Sequence, residues 1–345
     1  MKDVIVGVSG INAGDNPGAG IGVARSLKED KDLNVEVVGL AYDAMETGLY
    51  MEWLIDKAYM MPYPAVGHTE YLERLKHIQQ SSGLNCIIPC LDAELPLFTK
   101  YSGELEKQGI RTFLPSSEQF RLRSKDRLRE VAEKIGILYP ESETVNSYQD
   151  LNRVIESLGL PVMVKGAFYK AYYAHTPQEA AANYNKIIAE WGGPVIIQKT
   201  VTGEEMNVVG VGDGSGKSLG RVGIKKLSVT SLGKIWNGVT VKHQMMLDAA
   251  DHFVEHYKWR GGFELECIVD GSDIYLIEIN PRLPAWVYFA TAVGVNLPSQ
   301  IVRAAVNEPV RIPPDYETGR LFIRYTYEMI TDMDLFQKMT LRGER

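Results

Sequence analysis

The chain has 345 residues, of which 45% are hydrophobic and 23% charged, and carries a formal net charge of -7. That length supports two or three subdomains around a large core, and the composition is that of an ordinary soluble enzyme. The acidic balance excludes a general nucleic-acid binder, because no Lys/Arg-rich face offsets phosphate repulsion, and no apolar run approaches the ~20 residues that a membrane helix needs. A strand pattern begins at the N-terminus with no visible signal peptide. Cys86, Cys90 and Cys267 form neither an even framework nor a zinc spacing, so buried thiols in a reducing cytoplasm are expected.

Lys2 to Ser9 (KDVIVGVS) predicts a short buried parallel strand, which ends in a glycine-rich loop from Gly10 to Gly22. An amphipathic helix over Val23 to Lys28 and a strand at Val35 to Leu40 follow, the opening of a doubly wound α/β unit. The dinucleotide fingerprint G-x-G-x-x-G fails, because Val23 stands where the third glycine belongs after Gly18 and Gly20. Asp43 lies where a ribose-binding acid could sit, but without the fingerprint a bound NAD is disfavoured. Asn85 to Pro89 predicts another buried strand, followed by Cys90-Leu91-Asp92-Ala93-Glu94. Acids at the carboxyl end of a parallel strand lie where open α/β sheets bind ligands, so Asp92 and Glu94 are candidates to face a substrate amine. A helix N-terminus, which also favours acids, accounts for them equally well. A helix through Tyr101 to Gln108, a strand at Gly109 to Leu114 and a boundary at Pro115-Ser116-Ser117 complete this part.

Phe120 to Ile135 has a helical period up to the breaker Gly136 and carries Ser124-Lys125-Asp126 early in it. Leu160 to Lys165 (LPVMVK) is an apolar strand ending in a lysine, which needs an anionic partner if it is buried. After the loop Gly166 to Tyr173 come a helix, Pro177 to Trp191, and a strand, Pro194 to Lys199, that runs into Thr200 to Glu205. Strands at Asn207 to Gly212 and Gly220 to Lys226 are joined by a tight turn, Asp213 to Lys217. Lys225 and Lys226 alternate faces, so one of them points toward the acidic side of the sheet; solvated edge-strand lysines are the alternative. His252 and His256, spaced i, i+4 on a helix from Gln244 to Tyr257, lack an H-E-x-x-H signature and are expected at the surface. Ala290 to Asn307 predicts a final helix region, and the polar end, Pro313 to Arg345, has strand character at Leu321 to Tyr325.

The most informative stretch is Gly261 to Trp286, GGFELECIVDGSDIYLIEINPRLPAW. Two β-rich runs, Phe263 to Val269 and Ile274 to Ile279, flank the turn residues Asp270-Gly271-Ser272-Asp273 and predict a hairpin. Alternation puts Glu264 and Glu266 on one face of the first strand, and Glu278 and Asn280 on one face of the second. An odd loop sets Glu266 opposite Glu278 and Glu264 opposite Asn280; an even loop sets the acids on different faces. Carboxylates facing each other across a ladder repel by up to ~1 kcal/mol, so a cation is expected between them. A hard divalent ion fits best, since Mg²⁺ takes carboxylate and amide oxygens and completes its shell with phosphates and water. Arg282 can offer a planar fork of donors to a phosphate nearby. A solvated acidic face is the alternative, disfavoured by so many apt residues in one arrangement.

Glu-Ile-Asn-Pro-Arg after an apolar strand, with an acid on the neighbouring strand, resembles the metal-binding end of the ATP-grasp superfamily, in the pattern of the carbamoyl-phosphate synthase large subunit and biotin carboxylase. The resemblance implies an α/β chain in which a Rossmann-like leading domain (1–118) precedes an ATP-grasp fold. That fold comprises a small lid subdomain (119–199) and a larger antiparallel-sheet subdomain (200–320), followed by a C-terminal extension (321–345). It implies ATP and two Mg²⁺ ions, with Mn²⁺ as a substitute. Glu266 and Glu278 would bind metal, Glu278 bridging both ions, with Asn280 on the second and Arg282 on the transferred phosphoryl group. Glu264 has no counterpart in the family and stands on geometry alone. Lys125 and Lys165 match the two lysines that reach the ATP phosphates. Gln198, Lys199 and Val201 lie in the strand whose backbone recognises adenine, and Glu205, in Gly203-x-Glu205, matches the glutamate on the ribose. Lys225 is assigned to the γ-phosphate or acyl phosphate. The loop Gly166 to Tyr173 departs from the family: it has one glycine, and an aromatic loop cannot wrap phosphates as closely with its backbone, so Lys170 is expected to supply charge instead.

The reaction implied is attack of a carboxylate on the γ-phosphorus of MgATP, then displacement of phosphate from the acyl phosphate by an amine, giving an amide. The substrates expected are a small-molecule carboxylate and an amine, an amino acid or peptide among them, with no nucleic-acid or membrane partner; dimers are common among similar proteins. A carboxyphosphate former of the carbamoyl-phosphate synthase type is a second reading, weakened by the length of one module and by the lack of a glutaminase-type nucleophile elbow. A non-catalytic nucleotide-binding protein is a third. Leu283, Pro284, Trp286 and Tyr288 suggest either a partly aromatic pocket wall or core packing.

Overall fold

A computed structural model describes residues 4–166, 170–231, 233–311, 313, 315–326 and 328–345. In the leading part, β1 (Val4–Ser9), α1 (Gly20–Glu29), β2 (Val35–Ala41), β3 (Lys57–Met60), α2 (His68–Ser82), β4 (Cys86–Ile88), α3 (Leu95–Lys107) and β5 (Arg111–Thr112) form a doubly wound unit. Its parallel sheet has the order β3-β2-β1-β4-β5. The strands are rich in valine and isoleucine, as expected where helices cover both faces. The glycine-rich loop after β1 packs on itself: a Cβ on Gly18 would lie 2.0 Å from the Gly10 carbonyl oxygen, and one on Gly20 2.2 Å from that of Ser9. These glycines permit close backbone approach. The open edge at β3 is covered by residues 343–345, where Met60 N–H donates to the Gly343 carbonyl at 2.8 Å, Ala58 and Arg345 exchange two backbone hydrogen bonds, and Arg74 Nη2 holds the Gly343 carbonyl at 2.7 Å.

Further along lie α4 (Ser117–Phe120), α5 (Leu128–Ile135), β6 (Ser142–Val145), α6 (Tyr148–Leu158), β7 (Val162–Gly166), β8 (Ala171–Ala174), α7 (Pro177–Trp191) and β9 (Val195–Lys199). The expected single helix from Phe120 to Ile135 is broken: it becomes α4, a 3-10 turn at Arg121–Arg123, a turn through Ser124 to Arg127, and α5. The apolar stripe explains the break. Only Leu128, Val131, Ala132 and Ile135 recur with helical spacing and are buried, whereas the polar run Arg123 to Arg127 has nothing to bury. Lys125 therefore sits in a turn. β6, β9, β7 and β8 form an antiparallel sheet in that order, backed by α6 and α7 through Val145, Leu151, Val154, Val162, Val164 and Ile187.

Last come β10 (Glu204–Asp213), β11 (Ser218–Val229), β12 (Ile235–Val241), α8 (Gln244–Tyr257), β13 (Arg260–Asp270), β14 (Asp273–Asn280), α9 (Val287–Ala292), α10 (Leu297–Val306), β15 (Leu321–Ile323) and α11 (Met333–Arg342). Their strands form a sheet of order β14-β13-β10-β11-β12-β15. β11 is thus interior, which removes the edge-strand alternative for Lys225 and Lys226. The expected helix at Ala290 to Asn307 is two helices parted at Val293 to Asn296, with Asn296 Oδ1 capping α10, and α11 adds a helix that the polar C-terminal composition concealed. The chain divides into two compact units: residues 1–120, 207–264 and 280–345 in one, residues 121–206 and 265–279 in the other. In the first, the faces of β1, β10 and β11 share a core with α1, α9 and α10. Among the described residues no helix is long and apolar enough to cross a membrane.

Candidate functional site

In the unit of residues 121–206 and 265–279, the chemistry gathers at the end of β7. Lys165 is only 8% exposed, and its Nζ donates to Oε1 of buried Gln198, on neighbouring β9, at 2.5 Å. The register Met163↔Gln198 makes the two side chains diagonal neighbours on one face. Lys125 Nζ donates to the Gly166 carbonyl at the end of the same strand. Burial holds the Lys125 ammonium below its ordinary value, against the Glu278 carboxylate, which favours the charged form. Lys165 is lowered to about 8 by burial first and the Lys125 charge second, again opposed by Glu278. Two desolvated ammoniums therefore share the field of one carboxylate, an arrangement that favours a further anion. Glu278 is exposed on β14, and Glu266 is half-buried on β13.

The remaining candidates of this unit lie on β9 and just after it, at the start of β10 and just before β8. Gln198 is buried, Val201 is half-buried, and Lys199 is exposed beside Glu141 at 3.6 Å. Glu205 is exposed at the start of β10, after Gly203, whose Cβ would lie 2.5 Å from the Val269 carbonyl oxygen. Lys170 is exposed, with φ +69, and its carbonyl accepts the Gly166 N–H at 3.1 Å. Ala167, Phe168 and Tyr169 of the aromatic loop lie outside the described residues.

In the other unit, Glu264 is 3% exposed and takes three side-chain donors. Its Oε1 accepts Asn207 Nδ2 and Trp286 Nε1, each at 2.7 Å, and its Oε2 accepts Asn280 Nδ2 at 3.1 Å. The hairpin turn is two residues, Gly271 and Ser272, a count that on an uninterrupted ladder would part the acid faces. The bond between Asn280 and Glu264 shows instead that these two side chains meet. Oxygen ligands of this kind suit a hard divalent ion, and Asn280, whose NH₂ is taken by Glu264, turns its Oδ1 the other way.

Arg282 binds Asp92 at the carboxyl end of β4, with Nε and Nη2 at 3.0 and 2.9 Å from Oδ2. Lys234, in the β11–β12 turn, donates to the Pro17 carbonyl at 2.8 Å; burial lowers its ordinary value, as do the Arg282 and Arg324 charges, while Asp92 opposes them. Arg324 is likewise lowered by burial, and its Nη2 holds the Ala285 carbonyl at 3.0 Å. Arg282 and Lys234 thus share the field of one acid, Asp92. Glu94 resolves differently from Asp92. It is fully buried, accepting from Ser9 Oγ at 2.6 Å, Tyr42 Oη and the Leu91 N–H, and burial pushes it up to about 7. It supports the loop and does not face a ligand.

Gly223 turns toward Met246 of α8, so Lys225, two residues on, shares the α8 side of β11. Phe263 packs on Phe253 of α8 at 5.2 Å, which puts Glu264 on the opposite side, the side of Lys226. Asp43 is an exposed turn acid whose Oδ1 accepts the Met45 N–H. His252 and His256 are exposed. Leu283, Pro284 and Trp286 are core, and Tyr288 lies under the Arg25 guanidinium and donates to Glu29. Asn207, Lys234 and Arg324 were not singled out from sequence. The first left a signal, a polar residue opening the apolar run Asn207 to Gly212; the other two depend on long-range packing.

Residues 193–326 match the family described as "ATP-grasp in the biosynthetic pathway with Ter operon". Similar solved structures include the biotin carboxylase domain dimer of the Hydrogenobacter thermophilus 2-oxoglutarate carboxylase with MgADP, ADP and bicarbonate (TM-score 0.66, 20% identity, 90% of this chain and 70% of that one). The biotin carboxylase of Campylobacter jejuni, in an ATP-analogue complex, aligns with TM-score 0.69 at 15% identity over 90% of this chain and 72% of that one. The N5-carboxyaminoimidazole ribonucleotide synthetase of Thermus thermophilus aligns with TM-score 0.65 at 14% identity over 89% and 80%. These similarities, and the sheets described above, establish an α/β chain of ATP-grasp fold.

Proposed function

We propose that this chain, an ATP-grasp protein by fold, is an ADP-forming ligase that activates a carboxylate as an acyl phosphate and joins it to an amine. The observation that supports the reading is the meeting of buried Lys165, held by Gln198, and half-buried Lys125, held by the Gly166 carbonyl, at the end of β7. Phosphoryl transfer asks little covalent work of side chains; it depends on positioning and on cancelling charge over the phosphoryl oxygens. Lys125 and Lys165 would hold the nucleotide phosphates, the backbone of Gln198 to Val201 the adenine, and Glu205 the ribose. Glu266, Glu278 and Asn280 would supply oxygens to Mg²⁺, which when bound would neutralise phosphate charge. Arg282, oriented by Asp92, would meet the transferred phosphoryl group, and Lys226 is the lysine of its pair on the Glu264 side of β11.

The amide-forming reading fits the biosynthetic description of the matched family. It predicts ADP and phosphate release only when acid and amine are both present, tested by screening amino acids and dipeptides for ATP-dependent phosphate release. A second reading, carboxyphosphate formation, is favoured by the likeness to a biotin carboxylase solved with bicarbonate. Bicarbonate-dependent ADP release without any other acid would select it.

A further inference from the structure

An open-sided cavity of about 470 Å³ lies within the unit of residues 1–120, 207–264 and 280–345, between the β10–β11 turn, α8 and the segment around Pro313 and Tyr316. That volume is in the range of roughly 300–1,000 Å³ that encloses small ligands. Arg221, two residues before Gly223 on β11, bonds Leu247 and Asp251 of α8, so the cavity belongs to the α8 side of the sheet, opposite the face of Glu264. Its walls are fixed. Asp213 Oδ1 accepts the N–H groups of Ser215, Gly216 and Lys217 at 2.6, 3.1 and 3.0 Å, which sets the turn that carries Lys217. Tyr316 Oη donates to the Val241 carbonyl at 2.7 Å and accepts the Gly223 N–H at 3.0 Å, and Tyr316 and Val295 are both buried. A Cβ on Gly220, at φ +140, would lie 3.0 Å from Pro313 and 3.1 Å from Val295, so β11 meets this apolar wall as closely as glycine allows.

The charges that line the cavity are mixed and incompletely paired. Asp315 is taken by Lys242 at 2.6 Å. Arg221 gives Nη2 to Asp251 at 2.7 Å and Nε to the Leu247 carbonyl at 3.2 Å, and its Nη1 has no protein partner among the described residues. Lys217 and Glu255 are exposed, and among the described residues their side chains make neither an ion pair nor a hydrogen bond. Asp251 stays above the ordinary carboxylate range even beside Arg221, because burial outweighs that contact and Asp248 adds a like charge. A further cation at Asp251 is therefore favoured, and so is a carboxylate within reach of Lys217 and the open end of the Arg221 fork. A ligand with only one of these charges answers half of the lining, and a nucleotide would bring its phosphates against Asp251, Glu255 and Asp315.

We propose that this cavity binds a free α-amino acid with an apolar side chain, its carboxylate held by Lys217 and Arg221, its ammonium by Asp251 and Glu255, and its side chain against Val295, Pro313 and Tyr316. The site is separate from the nucleotide and metal assignments, and the inference does not depend on the ligase reading. Lys217 and Glu255 are the positions to change, because both are exposed and neither supports the fold through its side chain.

The test is calorimetric titration of the full chain, without nucleotide or metal, for wild type, Lys217→Met and Glu255→Gln. Three ligands are compared: the tighter binder of L-leucine and L-phenylalanine, its primary amide, which lacks the carboxylate, and its deamino acid, which lacks the ammonium. The amino acid should bind wild type at one site, and roughly tenfold more weakly to each variant, the loss of one charge-assisted contact. The amide should weaken in Glu255→Gln and stay within about twofold in Lys217→Met, and the deamino acid should do the reverse. Wild-type protein that binds neither amino acid overturns the proposal. So does amino-acid affinity unchanged in either variant, because both charges are required, and so does equal weakening of all three ligands in both variants, which would mean that the cavity had lost its shape.

Discussion

Arg282 and Asp92 lie 190 positions apart and meet through two hydrogen bonds, 3.0 Å from Nε and 2.9 Å from Nη2, on a single carboxylate oxygen. A guanidinium held through two of its nitrogens keeps its plane fixed, and the remaining face of the fork is set by that hold. Asp92→Asn keeps an acceptor but removes the charge, leaving Arg282 beside Lys234 and Arg324 without its counter-ion. Turnover should fall by about tenfold, because misplacement of a charged group by a fraction of an ångström is felt in the transition state. Steady-state ADP release measures it; a raised KM with unchanged kcat would mean that Arg282 only binds substrate.

Glu278→Gln should lower Mg²⁺-dependent ADP production by at least ~10²-fold with little change in Tm. The position is exposed, so the fold loses little, whereas charge cancellation at the phosphates loses its carboxylate. Retained Mg²⁺-dependent turnover in that variant would refute the assignment of Glu278.

Lys165 makes a prediction of opposite sign from most buried substitutions. Its value in the folded protein is about 8, below the ordinary 10.5, so folding releases a proton between those limits and stability rises with pH across them. At neutral pH the folded chain carries a poorly solvated ammonium, and Lys165→Met should stabilise the nucleotide-free protein by roughly 1–3 kcal/mol. The same change should weaken ADP binding by at least ~10-fold, the loss of one charge-assisted contact. Thermal melts with and without ADP test both halves; a less stable variant with unchanged ADP affinity would remove Lys165 from the site.

Glu94 titrates the other way. Its value is raised from 4.5 to about 7, so the folded protein keeps a proton that the unfolded chain gives up. That stabilisation is fully present below pH 4.5 and is lost as pH rises through 7, an effect of order 3 kcal/mol for a fully buried carboxyl. Glu94→Gln, which imitates the protonated form, should flatten the stability profile over that window and gain on wild type toward pH 8. Parallel profiles for the two proteins would show that Glu94 is already ionised at low pH.

The elements most legible in the sequence were those whose pattern is local and strong. The helices Pro177–Trp191 and Gln244–Tyr257 have unambiguous period and clear ends, and the hairpin carries its own turn residues. β3 and α2 drew no expectation, because a four-residue strand and a helix with few apolar positions give weak signals. The helix through Lys125 failed for the related reason that continuous helix-forming residues do not ensure a continuous buried stripe. Within the candidate site, residue types could be read but partners could not. Asp92 and Glu94 look equivalent in sequence, and only the packing of Tyr42 and Ser9 on one, and Arg282 on the other, tells them apart. The even turn at Gly271-Ser272 would part the side chains of Glu264 and Asn280, yet the two are hydrogen-bonded, a contact that turn arithmetic does not foresee.

The closing of β3 by residues 343–345 bears on how the protein is made. On the ribosome Arg74 emerges 269 residues before Gly343, the carbonyl it holds. Until then the first sheet is complete except for its margin, where backbone groups of residues 58 and 60 lack their later hydrogen-bonding partners. Such a margin can recruit a strand from a neighbouring nascent chain. Deleting residues 343–345 would make that transient exposure permanent, and would be felt first as poor yield on expression.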